Sequence, residues 1–148
     1  MQIRPATEAD LPVCGAIYAA AFAAPPYGEA WDSLEAPEML GTLLARDPRS
    51  CWCLTVDGHV EGFAFCSVYG RFRATLDEFA VAPGMQGRGY GTALMSTVLR
   101  EIRQMGVATI DLVAHRSSPA FRFYRKFGFR QPLSYVLMSR RLPNTDRA

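Results

Sequence analysis

The sequence predicts a single α/β domain with a mixed, mostly antiparallel central sheet and helices on both faces. Segments with the two-residue period of strands alternate with segments of helical period, a strong turn dipeptide separates two apolar strand segments, and a glycine-rich segment joins a strand to a helix. The 148 residues, 49% of them apolar, are enough to bury one core. We expect residues 1–142 to form the domain and Pro143–Ala148 to form a flexible tail.

The N-terminal half is predicted to hold a strand, two helices and an antiparallel hairpin. These elements are a strand over Met1–Arg4, a helix from Thr7 to about Phe22, a helix over Glu38–Arg46, and strands over Cys51–Val56 and Val60–Tyr69. Thr7 and Asp10 have the spacing of a near capping box, and Pro25 and Pro26 end the first helix. The dipeptide Asp57-Gly58 favours a tight turn, so the strands on either side of it should pair.

The C-terminal half is predicted to alternate strands and helices. These elements are a strand over Ala74–Val81, a helix over Tyr90–Met105, a buried strand over Val107–Ala114, a helix over Pro119–Phe127, and the last strands within Phe129–Leu142. Gly106 stands where a glycine often follows the last turn of a helix. Ser118 and Pro119 are typical of the N-cap and the first helical position. Both helices should therefore have well-defined ends.

The composition excludes several functional classes. The 16 basic and 14 acidic residues leave a net charge of +2, so no broad positive field favours nucleic acid as a partner. The four cysteines form no CxxC pair and the two histidines lack ligand spacing, which predicts reduced, packed cysteines and no metal site. Neither a membrane-spanning segment nor a secretory signal is found, so we expect a soluble, cytoplasmic protein with no membrane partner.

One local charge bias is informative. The segment Arg116–Arg130 contains five basic residues and no acidic one. This pattern suits a small polyanionic ligand, and it equally suits a solvated helix face.

The glycine-rich segment 84–91 follows a predicted strand and begins a predicted helix. Glycines let ligand oxygens approach the backbone amides, and those amides open at the positive end of a helix, which favours a diphosphate. A nucleotide P-loop requires a lysine that Gly91-Thr92 lacks. A dinucleotide-binding loop has the pattern GxGxxG, whereas these glycines read GxGxG, although Asp111 has the expected spacing. A turn without any ligand is the remaining alternative.

The segment Gln86–Gly91, QGRGYG, resembles the Q/R-x-x-G-x-G/A signature of the GNAT superfamily of N-acetyltransferases. Three further segments are similar to parts of that superfamily in the same order. IRPATEADLP resembles its first strand and helix start, DEFAVAP its fourth strand, and AFRFYRKFGF its final helix and turn. The resemblance implies the GNAT-type acyl-coenzyme A N-acyltransferase fold, with acetyl-coenzyme A as cosubstrate and no metal.

The resemblance also implies which residues contact that cosubstrate. The fourth and fifth strands would splay apart so that the pantetheine arm pairs with the main chain of the fourth. The implied cofactor-binding residues are Ala80, Val81, Ala82, Gln86, Gly87, Arg88, Gly89, Tyr90, Gly91, Thr92, Ser117, Phe123 and Lys126. Ser117 stands where the superfamily often has asparagine. Arg122, Arg125 and Lys126 would contact the 3′-phosphate.

Catalytic roles follow from the same resemblance and from the chemistry of acetyl transfer. Tyr124 corresponds to the tyrosine that protonates the departing thiolate. A base is also required, because an alkylammonium is no nucleophile until it loses a proton. Asp77 and Glu78 adjoin the cofactor strand, and strand alternation places them on opposite faces unless a bulge exchanges the faces. Both remain candidates, with Glu78 favoured.

The predicted function is transfer of an acetyl group from acetyl-coenzyme A to a primary amine of a small molecule or peptide, by direct attack in a ternary complex. An irregular loop carrying Tyr27, Glu29, Trp31, Asp32 and Glu35 is the candidate acceptor region. Two alternatives remain open: a non-catalytic domain that binds or senses acyl-coenzyme A, and a nucleotide-dependent oxidoreductase. A homodimer through the last strands is compatible with the sequence.

Overall fold

The computed structural model describes residues 1–143, so residues 144–148 of the predicted tail lie outside the described part of the chain. Five strands and four α-helices form the domain. In chain order they are β1 (Gln2–Pro5), α1 (Leu11–Ala23), α2 (Glu35–Arg46), β2 (Cys51–Val56), β3 (His59–Tyr69), β4 (Arg73–Val81), α3 (Tyr90–Gln104), β5 (Thr109–Leu112) and α4 (Pro119–Lys126). Short 3-10 turns precede α1, β2 and α3.

The strands form one sheet in the order β1-β2-β3-β4-β5. The first four strands pair antiparallel, and β5 runs parallel to β4. The β2–β3 connection contains Asp57 with a φ of 51° and Gly58 with a φ of 82°, the left-handed geometry of a tight hairpin turn. The predicted mixed, mostly antiparallel sheet is therefore confirmed.

Helices cover both faces of this sheet. On one face, α1 and α2 pack against the fully buried rings of Phe63 and Phe65. On the other face, Leu94 and Val98 of α3 and the aromatic residues of α4 pack against Leu54 and its neighbours. Alternate residues of β2 and β3 thus serve two separate apolar layers, which explains why these strands read as nearly continuous apolar segments.

The start of α1 is fixed by a buried carboxylate. Asp10 accepts hydrogen bonds from the backbone nitrogen of Thr7 at 2.8 Å and from two guanidinium nitrogens of Arg4 at 2.7 and 2.8 Å. These contacts tie β1 to the turn before α1. The hydrogen bonds of the predicted capping box are present, but they belong to a 3-10 turn over Glu8–Asp10, and α1 itself begins at Leu11.

The second helix begins three residues earlier than predicted, at Glu35 instead of Glu38. The Asp32 carboxylate accepts hydrogen bonds from the backbone nitrogens of Leu34 at 2.7 Å and Glu35 at 2.8 Å. Pro37 lies in the first turn, where its missing N–H costs no helical hydrogen bond. The additional turn is possible because the side chain of Asp32, three residues before Glu35, caps it.

Two strand predictions are wrong. The predicted buried strand Val107–Ala114 is limited to Thr109–Leu112, and its residues alternate between exposed and half-buried because β5 is an edge strand paired only with β4. Residues 129–143, predicted to hold the last strands, contain no strand, and the apolar side chains from Leu133 to Met138 are mostly exposed. High β-propensity forms a strand only where a partner strand accepts its hydrogen bonds.

The four cysteines are buried and reduced, as predicted. The sulfur atoms of Cys14 in α1 and Cys53 in β2 lie 3.6 Å apart. Burial raises the pKa of the Cys51 thiol to about 12 and raises that of Cys66 as well, so both stay protonated and unreactive near neutral pH. Within residues 1–143, no group of metal-ligating side chains and no helix capable of crossing a membrane is found.

Candidate active site

A cleft opens where β4 and β5 separate. The two strands pair only between Arg73–Leu76 and Thr109–Leu112, while β4 continues to Val81. Beyond Leu76, that edge of β4 is therefore not paired with β5. The separation expected from the resemblance is present, and it leaves backbone hydrogen-bonding groups of β4 available to a ligand.

The loop from β4 to α3 forms one end of this cleft. Gly87 has a φ of 75° and Gly89, the N-cap of α3, has a φ of 84°, conformations that favour glycine. The Gln86 side-chain nitrogen donates a hydrogen bond of 3.0 Å to the carbonyl of Val81, which holds the loop against the end of the strand. The loop is thereby folded back toward the separated edge of β4.

The amides of this loop have no internal partner. Within residues 1–143, the backbone nitrogens of residues 87–92 donate no hydrogen bond to any protein acceptor. They lie at the positive end of the fifteen-residue helix α3. A Cβ built at Gly87 or at Gly89 would meet no atom within 4 Å, so there is open space beside these residues. The arrangement fits an anionic group such as a diphosphate.

The cleft has a volume of about 580 Å³ and connects the loop to the helices on both sides of the sheet. Its lining combines the end of α1, the end of β4, the glycine loop and α4. From the predicted site it includes Ala80, Val81, Gln86, Gly87, Gly89, Gly91, Thr92, Phe123 and Tyr124. One cleft therefore brings together nine of the sixteen predicted site residues.

Seven predicted site residues do not line the cleft. Asp77 and Glu78 lie beside it on β4, Ala82 packs against the α1–α2 layer, and Tyr90 packs against the opposite layer. Arg88, Ser117 and Lys126 are exposed around it. The backbone nitrogen of Ser117 donates to Nδ1 of His115 at 3.2 Å.

Several lining residues were not predicted as site residues. Phe22 and Pro25 at the end of α1 form one wall, Tyr27 belongs to the expected acceptor loop, and Phe79 lies on β4. The Phe22 and Tyr27 ring centroids are 4.7 Å apart, and those of Tyr27 and His115 are 6.1 Å apart. The only local indication in the sequence that Phe22 belongs to the site is its position shortly before the proline pair that ends the helix. An aromatic residue at such a position is equally typical of the core.

Tyr124 presents its hydroxyl to the cleft. The ring packs against Phe79, Phe123 and Phe129, with centroids 5.6–6.2 Å apart. Within residues 1–143, no side chain or backbone group is hydrogen-bonded to the hydroxyl. Burial, reinforced by the nearby Tyr27 and Glu78, raises the pKa of Tyr124, so its hydroxyl keeps its proton at neutral pH. The group is suited to donating that proton.

A β-bulge determines where the two carboxylates point. Phe65 pairs with Glu78, but the next residue, Cys66, pairs with Leu76, so Asp77 is an extra residue in β4. Glu78 and Ala80 share the α1–α2 face, while Leu76 faces the opposite layer. Regular alternation would place Glu78 on the same face as Leu76, and the bulge at Asp77 interrupts it.

Glu78 is the more strongly perturbed carboxylate. It is half-buried, and within residues 1–143 it has neither a hydrogen bond nor an ion pair. Burial, followed by the negative charges of Asp77 and Glu29, raises its pKa to about 7. A carboxylate with this pKa can both accept and release a proton under physiological conditions.

Comparison with known proteins identifies the class to which this fold and cleft belong. Residues 17–129 match the family model described as the acetyltransferase (GNAT) family. Because this match covers most of the chain, the chain belongs to the GNAT family of acetyltransferases.

One relative and one structural neighbour illustrate this membership. The chain is 35% identical over 86 residues, 56% of its length, to streptothricin acetyltransferase of Streptomyces lavendulae, covering 45% of that protein. It is similar to the ribosomal-protein-S18-alanine N-acetyltransferase of Escherichia coli, with a TM-score of 0.69, 27% identity, and coverage of 88% of this chain and 78% of that one.

The PaiA N-acetyltransferase of Thermoplasma acidophilum, solved in complex with coenzyme A, has the same fold. Its TM-score is 0.76 at 20% identity, with coverage of 87% of this chain and 89% of that one. The sequence matches span between 38% and 53% of the length of the first four curated relatives.

Proposed function

We propose that this protein transfers the acetyl group of acetyl-coenzyme A to a primary amine of a small molecule or peptide, by direct attack within a ternary complex. The observation that carries the proposal is the row of unpartnered amides at residues 87–92, which opens into the same cleft as the separated edge of β4. Membership of the GNAT family supports it.

The residues present fit this cosubstrate. The amides of residues 87–92 suit the pyrophosphate, and the unpaired edge of β4 at Ala80 and Val81 suits the amides of the pantetheine arm. The contact predicted for Ala82 is not supported, because its N–H donates to the carbonyl of Glu61 and its carbonyl accepts from the N–H of Met85, both at 2.8 Å. Arg88 and Lys126 are exposed around the cleft, where positive charge would attract the remaining phosphate. Acetyl-coenzyme A supplies the activated thioester carbonyl, and the protein supplies binding, orientation and proton transfer.

Two side chains move the protons. Glu78 accepts a proton from the acceptor ammonium, directly or through a water molecule, so that the neutral amine can attack the carbonyl carbon. As the carbon–sulfur bond breaks, Tyr124 donates its proton to the departing sulfur. The pKa of Glu78 near 7 and the raised pKa of Tyr124 both support this division of roles.

The acceptor region lies on the α1–α2 side of the cleft. Tyr27 lines the cleft, and the Glu29 carboxylate accepts a hydrogen bond of 2.6 Å from the indole nitrogen of Trp31. Trp31 in turn packs edge-on against Tyr18, with centroids 5.1 Å apart. An acidic group beside aromatic faces favours a cationic amine. The structural neighbour named for the alanine of ribosomal protein S18 is an N-acetyltransferase, which fits an acceptor with an amino group.

Ligand-dependent thermal unfolding tests the proposal. A 100-fold excess of acetyl-coenzyme A over its Kd stabilises a protein by about 2.7 kcal/mol, which raises the unfolding temperature by several degrees. NAD and ATP at the same concentrations should produce no comparable shift. A shift with NAD alone would contradict the proposal and favour an oxidoreductase.

Release of free coenzyme A thiol in the presence of a panel of amines then tests for catalysis. We expect amine-dependent release that exceeds thioester hydrolysis without an amine. Stabilisation by acetyl-coenzyme A without release for any small amine or amino-terminal peptide would indicate a binding or sensing domain.

A further inference from the structure

The two adjacent carboxylates of β4 lie on one face of the sheet but have different surroundings. Residues next to each other in a strand normally point to opposite faces, and the bulge at Asp77 removes this separation. Glu78 shares the α1–α2 face with its partner Phe65. Ser67 points to the α1–α2 face as well, because its strand neighbour Cys66 faces the opposite layer. Asp77 is hydrogen-bonded to Ser67 and therefore lies on the same face as Glu78.

Asp77 has partners that favour its anionic form. The buried Ser67 hydroxyl donates a hydrogen bond to its Oδ2, and the guanidinium of Arg46, the last residue of α2, adds a positive charge. Burial raises the pKa of Asp77 above its ordinary value, and these two partners limit that increase. The thiols of Cys51 and Cys66 lie near this group and stay protonated.

The groups around Glu78 do not favour its anionic form. It faces the Tyr18 hydroxyl from α1, the Glu29 carboxylate from the acceptor loop and the Tyr124 hydroxyl from α4. No positive side chain within residues 1–143 forms an ion pair with it. As the pH rises, the pair therefore loses the Asp77 proton first, and the second proton remains on Glu78.

We propose that Asp77, held by Ser67 at the bulge, is a positioning residue whose fixed negative charge makes Glu78 the carboxylate that exchanges protons with the acceptor. The inference rests on the proposed function, and it assigns the two neighbouring carboxylates different tasks. Asp77 stays ionised throughout. Glu78 alone takes the proton from the acceptor ammonium, which leaves a neutral amine and a neutral carboxylic acid.

This division has a chemical consequence. A lone, solvated glutamate has a pKa near 4.3 and is a weak base toward an ammonium group. A fixed negative charge nearby disfavours the glutamate anion and so strengthens it as a base. The second carboxylate therefore increases the basicity of Glu78 without touching the substrate.

Direct titration tests the inference without relying on catalysis. Side-chain carboxyl carbons are followed by 13C NMR over pH 3–9 in the full chain, and the Glu78 signal is assigned by its loss in Glu78→Gln. We expect Asp77→Asn to lower the Glu78 midpoint from about 7 by roughly one pH unit. Asp57→Asn, which removes an exposed carboxylate from the β2–β3 turn, should leave that midpoint unchanged.

Ser67→Ala provides a second, independent variant. Loss of the hydroxyl donor should raise the midpoint of Asp77 itself, because its anion loses a hydrogen bond. An unchanged Glu78 midpoint in Asp77→Asn, or an unchanged Asp77 midpoint in Ser67→Ala, would overturn the inference. If acetyl transfer occurs, the acidic limb of the kcat/KM profile should move with the Glu78 midpoint. Shifted midpoints in a protein that transfers no acetyl group would overturn only the proposed function.

Discussion

At the residue scale, the hydroxyl of Tyr124 is the clearest functional feature. A tyrosine in an aromatic cluster is normally a packing residue whose hydroxyl has a protein partner. Here the ring packs against three aromatic neighbours while the hydroxyl faces the cleft without a partner in residues 1–143. The ring anchors the side chain, and the hydroxyl remains available for a ligand.

Replacement of Tyr124 by phenylalanine should therefore affect chemistry more than binding. We expect kcat to fall by about 100-fold, because general-acid assistance to the leaving thiolate is lost. The KM for acetyl-coenzyme A should change by less than about threefold, because the ring packing is preserved. Steady-state kinetics measure both values. Tyr69→Phe at the exposed end of β3 is the matched control, and equal kcat in the two variants would remove the role assigned to Tyr124.

Glu78 should determine the acidic side of the pH profile. The proposed base works only when ionised, so kcat/KM should rise with pH through a midpoint near 7. In Glu78→Gln, we expect kcat/KM to fall by roughly 100-fold and this limb to disappear. Comparing an acceptor of low amine pKa with one of high pKa separates the ionisation of the enzyme from that of the substrate. A limb that persists in Glu78→Gln would contradict the assignment.

The same substitution has a stability effect of known sign. Folding raises the pKa of Glu78 from 4.5 to about 7, so the native protein holds this proton more tightly than the unfolded chain does. The ionised side chain therefore destabilises the fold progressively between pH 4.5 and 7. Thermal unfolding of Glu78→Gln should occur several degrees above that of the wild type at pH 8, and the two should agree below pH 4.5.

At the element scale, the loop between β4 and α3 has to meet a conformational requirement as well as a chemical one. Gly89 adopts a left-handed φ of 84° at the N-cap, which directs the following amides toward the cleft. Gly84, in the same loop, has no positive φ, and a Cβ there would meet open space. The backbone conformation therefore favours glycine at position 89, whereas neither conformation nor space requires it at position 84.

Alanine substitution should distinguish them. Gly89→Ala should cost about 1–2 kcal/mol of unfolding free energy through the left-handed φ, and should weaken acetyl-coenzyme A binding about tenfold or more as the amides reorient. Gly84→Ala should change both quantities little or should slightly stabilise the protein. Denaturant unfolding and calorimetric titration measure the two effects. Equal affinities of the two variants for acetyl-coenzyme A would show that binding does not depend on the left-handed conformation at Gly89.

Element boundaries also show what local sequence can predict. The Ser118 cap of α4, the Asp57-Gly58 turn and the glycines that end α3 and α4 depend on contacts within a few residues, and the structure confirms them. The edge position of β5 and the absence of strands in residues 129–143 depend on which segments lie next to each other. Propensity therefore located the elements but did not identify their partners.

At the scale of the whole molecule, one ion pair links the central sheet to the helices that cover one of its faces. The Arg4–Asp10 pair joins the outer strand β1 to the start of α1, and Asp10 is only 6% exposed. The guanidinium of Arg4 and the Thr7 hydrogen bonds hold the pKa of Asp10 well below its usual value. This carboxylate therefore stabilises the fold above its unfolded pKa of 3.8, and that stability is lost as the pH falls further.

Asp10→Asn should lower the unfolding free energy by about 2–4 kcal/mol at pH 7, because it leaves the Arg4 charge without its partner. The difference from the wild type should shrink below pH 4, where protons bind the unfolded chain. Urea unfolding at pH 7, 5 and 3.5 measures this trend. Glu8→Gln removes an exposed carboxylate from the same turn and should change stability by less than about 0.5 kcal/mol. A pH-independent difference would exclude the ion pair as its cause.

Local sequence was sufficient to predict the layered α/β architecture, the glycine loop and its helix, the four packed cysteines and the position of the tyrosine in α4. These features arise from periodicity, turn chemistry and spacing within short segments. Three features became known from the folded chain: the bulge that turns Asp77 and Glu78 to one face, the point where β4 and β5 separate, and the positions of Phe22 and Tyr27 in the cleft wall. Strand register and contacts between distant segments are set by the packing of the whole domain, so no local pattern contains them.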